Sequence, residues 1–263
     1  MRIGRVPAIT MALAALVVVP SLASVACGGT SSLFRQYEYE EEMYLSLDGT
    51  ATVYVNTSIA ALNALRGTSF DANPSARFDR EVFRTYFSSP NTHVTRVSQS
   101  RRAGRRFVHV RIDVDDVRRL SDAPPFAWSK YQFDRVDDQY VYVQRVASSP
   151  EPRAPSPESR APLWKGDELV AFRMHLPSKI DFHNTTTHEV GRGNILSWEQ
   201  PLAERLRGVP LTLEARMETQ SILYRTIWLF AASFVAVAIA FVLAIWWILR
   251  RGKPAEHEFR QAS

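Results

Sequence analysis

Apolar and polar residues alternate along residues 36–47: Tyr37, Tyr39, Met43, Leu45 and Leu47 share one face, with Glu41 intruding on it, and Glu38, Glu40, Glu42, Tyr44 and Ser46 share the other. A period of two predicts a half-buried strand. Asp48-Gly49 follows, a pair that tolerates the positive φ of a tight hairpin turn, and Ala51, Val53 and Val55 resume the alternation. Thr57 or Ser58 then caps a short helix to Arg66, striped with Ile59, Leu62 and Leu65 and stopped by Gly67. A second helix is predicted over 75–87, where Phe78, Val82, Phe83, Tyr86 and Phe87 recur at helical spacing and Asp79, Arg80, Glu81 and Arg84 face away. Further strands are expected at 92–100 and 107–114, turning around Ala103-Gly104, with Val108, Val110, Ile112 and Val114 on the buried face. A third hairpin joins 128–133 to 140–146. Alternation returns at 169–176, 194–198 and 209–219, and short helical turns are expected at 117–120 and 202–206. The fold class is α+β: an antiparallel β-sheet of hairpins packed with two short helices.

Residues 227–249 break this pattern. They carry no charge and no proline, and their length exceeds the roughly 20 apolar helical residues that cross a bilayer core. Trp228, Trp246 and Trp247 mark the ends, and Arg250, Arg251 and Lys253 follow. One C-terminal transmembrane helix is expected, with the basic flank on the cytoplasmic side. At the other end, Arg2 and Arg5 precede a short apolar stretch broken by Pro20 and a small-residue region, which reads 1–26 as a signal peptide. The organisation is then a flexible tether at 27–35 after Cys27, an extracytoplasmic domain at 36–220, the 227–249 helix and a cytoplasmic tail at 250–263. Five prolines between 148 and 162 mark that stretch as a mobile insertion in the domain.

Charge changes one inference. The chain carries +5 overall, but 26 basic residues face 25 acidic ones between 27 and 249. The excess sits at the ends, where it orients the chain, so no nucleic-acid partner is implied. Cys27 is the only cysteine, which excludes an intramolecular disulfide. It stands directly after Ser24-Val25-Ala26 and before a Gly/Ser run, so it is the candidate lipidation site; ordinary cleavage near Ala26 with a free thiol is the alternative.

Eight arginines fall between 96 and 119. Those at the second hairpin, Arg101, Arg102, Arg105 and Arg106, form a candidate anionic-ligand surface, because guanidinium groups grip phosphate with paired hydrogen bonds. The alternative is a solvated hairpin tip. Phe78, Val82, Phe83 and Tyr86 form a candidate apolar groove, or simply a face packed on a sheet. His175, His183, His188 and Glu189 are legitimate zinc ligands, but the two-histidine helical spacing of metalloproteases is missing. No nucleophile elbow, phosphate loop or dinucleotide fingerprint occurs. No cofactor, metal or catalytic residue is assigned, and an enzyme is not expected.

The run Leu176-Pro177-Ser178-Lys179-Ile180, then Asn184, Asn194-Ile195-Leu196-Ser197-Trp198 and Pro210-Leu211-Thr212-Leu213-Glu214-Ala215, followed by a membrane helix and basic tail, resembles the C-terminal half of LppM-type bacterial cell-envelope lipoproteins. The Asp48-Gly49-Thr50 hairpin behind a signal and Cys27 is similar too. That resemblance implies a membrane-anchored mixed helix-and-sheet domain linked to binding envelope lipids; it transfers no site residue. The leading expectation is a membrane-anchored extracytoplasmic binding protein of the cell envelope, for lipid or another envelope component. Its partners would be the lipid bilayer and envelope lipids, or a membrane protein. The alternative is a structural or protein-interaction subunit of an envelope membrane complex, its helix packing through Ala231, Ala232, Ser233, Ala236, Ala238 and Ala240. A metal-dependent hydrolase ranks third.

Overall fold

A computed structural model describes residues 35–147 and 164–251. The signal at 1–26, Cys27, the tether to residue 34, the proline-rich stretch and the tail from 252 lie outside the described residues. Ten strands and four helices follow in order: β1 (Tyr37–Leu45), β2 (Ala51–Ser58), α1 (Ile59–Arg66), α2 (Arg80–Phe87), β3 (Thr92–Arg102), β4 (Arg105–Val114), β5 (Ser129–Val136), β6 (Gln139–Val146), β7 (Leu169–His175), β8 (Ser178–His183), β9 (Ile195–Pro201), α3 (Leu202–Leu206), β10 (Leu211–Ser221) and α4 (Ile222–Arg251). Two 3-10 turns, Val117–Asp122 and Pro124–Phe126, lie between β4 and β5.

The α+β class holds, with more sheet structure than one hairpin series. Six strands are ordered β3-β4-β2-β1-β7-β9, and four are ordered β5-β6-β10-β8. β1 and β7 run parallel, Tyr37 beside Leu169 and Tyr44 beside His175; every other pair is antiparallel. The strands after the proline-rich stretch therefore divide. β7 and β9 extend the first sheet, whereas β8 and β10 complete the second with β5 and β6.

Local signals explain several boundaries. The Ser58 side chain accepts from the Ala61 N–H at the start of α1, and Gly67 ends the helix at φ 66°. The β3–β4 turn is only Ala103-Gly104, at φ 49° and 72°, the left-handed pair a two-residue hairpin requires. Arg101, Arg102 and Arg105 are thus strand residues rather than loop residues. The helix expected over 75–87 starts five residues late. Asp79 caps it through the Glu81 N–H, and the Asn73 and Ala76 carbonyls are taken by the Arg106 guanidinium.

The inner face of the six-stranded sheet meets α1, α2 and the four-stranded sheet. Val53, Val55, Val108, Val110, Ile112, Phe172 and Trp198 fill one contiguous core with Leu62, Leu65, Phe83 and Phe87. A polar seam runs through it. The intruding Glu41 is 2% exposed. Its carboxylate accepts from the Tyr39 hydroxyl (2.9 Å), the Tyr131 hydroxyl (3.3 Å) and Gln144 Nε2 (3.2 Å). Arg66 donates to the Tyr39 oxygen at 2.7 Å and to the Pro125 carbonyl at 2.8 Å, while lying over the Trp128 ring. Burial raises the Glu41 carboxyl above its ordinary value, against the opposing pull of Arg66 and the three donors. Arg205 is also buried, donating to the Val209 and Ala147 carbonyls; burial and Arg66 push it down to about 10.

β10 passes into α4 with no residue between them. α4 has 30 residues and is long and apolar enough to cross a membrane, and none of its apolar window is buried against the rest of the chain. At the junction the Ile222 N–H donates to the Pro177 carbonyl at 3.0 Å, just beyond the end of β7.

Candidate functional site

The outer face of the six-stranded sheet gathers polar and aromatic side chains around a small pocket. Alternation in β4 turns Val108, Val110 and Ile112 inward, and so turns Phe107 and His109 outward. The register sets His109 opposite Asn56 of β2 on one side and Ser98 of β3 on the other, and pairs Asn56 with Glu40 of β1. A pocket of about 180 Å³ opens there, lined by Tyr37, Glu40, Asn56, Ser100, Arg102, Phe107 and His109. That is below the roughly 300–1,000 Å³ of sites that enclose a drug-sized ligand, so it fits one functional group of a larger molecule.

Its polar groups form a directed chain. His109 Nδ1 lies 2.9 Å from Asn56 Oδ1, and His109 Nε2 lies 2.8 Å from Ser100 Oγ. An amide oxygen only accepts, so Nδ1 carries the proton and Nε2 is left to accept from the Ser100 hydroxyl. Burial and the Arg102 charge hold His109 below its ordinary value, with Glu40 opposing them, and this favours the neutral ring. Arg102 donates to the Tyr37 carbonyl and lies 4.4 Å over the Phe107 ring. Around the rim, Arg173 pairs with Glu40 and sits 4.9 Å over the Tyr37 ring, and Tyr37 donates to Glu199 at 2.7 Å. Burial and the Glu199 bond raise the Tyr37 phenol.

Two larger depressions hold no comparable chain. One, of about 560 Å³, lies at the β5–β6 turn against Arg216. The other, of about 760 Å³, lies along Arg77, Phe78, Asp79, Arg80 and Gln99.

The four arginines of the second hairpin do not form one surface. Arg101 and Arg102 are exposed, but Arg106 is buried on the Asn73 and Ala76 carbonyls. Arg105 bridges Glu38 at 2.6 Å and Glu168 at 3.2 Å, two carboxylates with side chains 0% and 1% exposed. Burial alone would raise the Glu168 carboxyl, but the Lys165 and Gly166 N–H groups and Arg105 hold it below its ordinary value. The quartet splits because strand alternation continues through Arg105 and Arg106 and acceptors await each of them, the buried Glu38 and Glu168 carboxylates for Arg105 and the Asn73 and Ala76 carbonyls for Arg106. Glu168 also ties the hairpin to the start of β7, while α4 joins beyond the end of that strand. Seven strand residues span roughly 20 Å, which separates the arginines from the start of α4 by about that distance.

The aromatic set is likewise divided. Phe83 is buried, stacked 5.3 Å from Phe78 and 4.7 Å from Phe70, and Tyr86 meets Phe70 edge-on. Val82 is 45% exposed on the other side of α2. Phe83 is therefore packed into the core while Val82 faces away from it, so the four side chains do not share one face. The histidines are dispersed too. His175 stacks on Tyr44 and bonds to Glu42 at 2.6 Å in the first sheet, and His183 bonds to Thr185 beside the second. Among the described residues, no three His, Cys, Asp or Glu side chains gather as a metal site.

Sequence reasoning passed over Asn56, Ser100 and His109. The available signal was alternation for Asn56 and His109, which lie opposite the valines of β2 and β4; for Ser100 the register shift between Val94 and Arg96 interrupts that signal along β3.

No family model matches the chain, and no curated protein matches it. Among solved structures, the NMR structure of the folded domain of the Mycobacterium tuberculosis LppM protein is similar, at TM-score 0.37 and 14% identity, over 70% of this chain and 92% of that chain.

Proposed function

We propose that the chain is a membrane-anchored, extracytoplasmic binding protein of the cell envelope, and that its ligand seat is the pocket on the outer face of the six-stranded sheet. The observation that carries the anchoring is α4: an exposed apolar helix of 30 residues that continues directly from a sheet strand. A domain joined this way works within its own length of the bilayer. The ligand is an envelope component, lipid or otherwise, that presents a small anionic group. Arg102 supports that choice, because its exposed guanidinium borders the pocket and anions are gripped best by such forks. Arg105 and Arg106, already committed to acceptors within the domain, have no part in it.

The test uses the full chain in nanodiscs of neutral phosphatidylcholine, titrated with soluble short-chain phosphatidylglycerol or phosphatidylcholine. Preference for the anionic lipid, lost in Arg102→Ala and kept in Arg101→Ala, is the expected result. Equal binding of both lipids, unchanged by Arg102→Ala, removes the reading. For orientation, protease added outside spheroplasts should digest the domain and spare a C-terminal tag; loss of the tag with the domain intact reverses the topology.

A further inference from the structure

We propose that this pocket also turns over its ligand, with Ser100 as nucleophile, His109 as general base and Asn56 as the residue that orients the base, acting on a carboxylic ester beside an anionic group. The proposal rests on the reading of the pocket as the ligand seat and adds a reaction to it.

The geometry meets the requirements of an activated serine. A hydroxyl is a weak nucleophile unless a base within about 2.6–3.2 Å takes its proton, and that base must be held by a third group. Ser100 Oγ to His109 Nε2 is 2.8 Å, and His109 Nδ1 to Asn56 Oδ1 is 2.9 Å. Three separate strands contribute the three residues: β3, β4 and β2. Ladder hydrogen bonds hold them in a common frame, so the arrangement does not depend on a mobile loop. Ser100 is exposed, while His109 and Asn56 are half-buried behind it, so substrate reaches the nucleophile first. Arg102 lies two residues along the same face of β3 and lines the same pocket, so the anionic group it holds would bring the neighbouring ester to Ser100. Its environment leaves His109 neutral near pH 7, the form a base needs.

The steps balance. Ser100 Oγ bonds to the ester carbonyl carbon as its proton passes to His109 Nε2. The tetrahedral adduct collapses, the bond to the alkoxy oxygen breaks, and His109 returns the proton to the departing alcohol. Water then attacks the acyl-serine, with His109 again accepting and returning the proton. The products are the carboxylic acid, the alcohol and the original Ser100. Asn56 touches no reacting atom and is a positioning residue; an aspartate there should serve the same purpose.

The experiment treats the full chain in nanodiscs with a fluorophosphonate probe and follows phosphonylation of Ser100 by mass spectrometry, with p-nitrophenyl acetate hydrolysis in parallel. Labelling at Ser100, abolished in Ser100→Ala and slowed at least about 100-fold in His109→Gln, is the expected result. Asn56→Ala should slow labelling and Asn56→Asp should restore it, a rescue that a purely structural role does not give. Circular dichroism of each variant checks that the sheets persist. Ser100 left unlabelled in a folded protein overturns the inference, as does labelling at equal rates in wild type and His109→Gln. Binding of phosphatidylglycerol kept in Ser100→Ala with no labelling of the wild type overturns the reaction alone. Labelling without any preference for the anionic lipid overturns the ligand assignment and leaves the nucleophile standing.

Discussion

Replacing Arg105 with methionine keeps much of the side-chain length and removes the charge between two buried carboxylates. Glu38 and Glu168 are 0% and 1% exposed, and Arg105 itself is 14% exposed, so solvent screens little of the loss. Breaking such a network by removing one partner costs about 3–5 kcal/mol, because the other partners stay behind as uncompensated charges. Here the lower half of that range applies. Glu168 keeps the Lys165 and Gly166 N–H bonds at 2.9 Å each, and Glu38 keeps Gln36 Nε2 at 2.8 Å. About 3–4 kcal/mol corresponds to a fall in Tm of roughly 6–16 °C for a domain of this size. Arg101→Ala, an exposed position, should change stability by no more than about 0.5 kcal/mol. Adding Glu38→Gln to Arg105→Met removes one of the stranded charges and should recover part of the loss. The assay is thermal unfolding of the full chain in detergent, read from the sheet signal in circular dichroism. Equal, small shifts for Arg105→Met and Arg101→Ala would refute the reasoning and return Arg105 to the solvent-exposed surface.

Two further predictions separate core from surface. Burial raises Glu41, so the folded state holds its proton more tightly than the unfolded state. Stability is therefore undiminished below the ordinary carboxylate value, falls as pH rises through the raised one, and levels off above it. Glu41→Gln should flatten that fall, seen as a stability advantage over wild type that grows with pH in urea titrations; parallel pH profiles refute it. On α2, Phe83→Ala should cost about 3–5 kcal/mol and Val82→Lys less than about 0.5, measured by the same unfolding assay; similar costs for both would restore a groove along that helix.

Local chemistry made most elements readable from the chain alone. Asp48-Gly49 and Ala103-Gly104 announced their hairpins, Gly67 its helix end, and the uncharged run at 227–249 its membrane-length helix. Pairings across long sequence separations were not readable in that way. β1 beside β7 joins residues more than a hundred positions apart, and no local pattern specifies a parallel neighbour. Charge was misleading for a related reason. Arginine at a hairpin tip reads as solvated until Glu38 and Glu168, both distant in sequence, supply buried acceptors for Arg105. Ser100, His109 and Asn56 were each visible as polar residues on an open strand face. Only the strand register shows that they touch.

The junction of β10 and α4 has a mechanical consequence. β10 lies inside its sheet, antiparallel to β6 on one side and to β8 on the other. A pull along α4 is therefore a shear load, shared at once by the hydrogen bonds on both flanks. An edge strand pulled away from its sheet would instead unzip one bond at a time. The four-stranded sheet consequently meets a force applied through α4 along a whole strand, while the six-stranded sheet, which carries the pocket, meets it at the Ile222–Pro177 hydrogen bond beyond the end of β7.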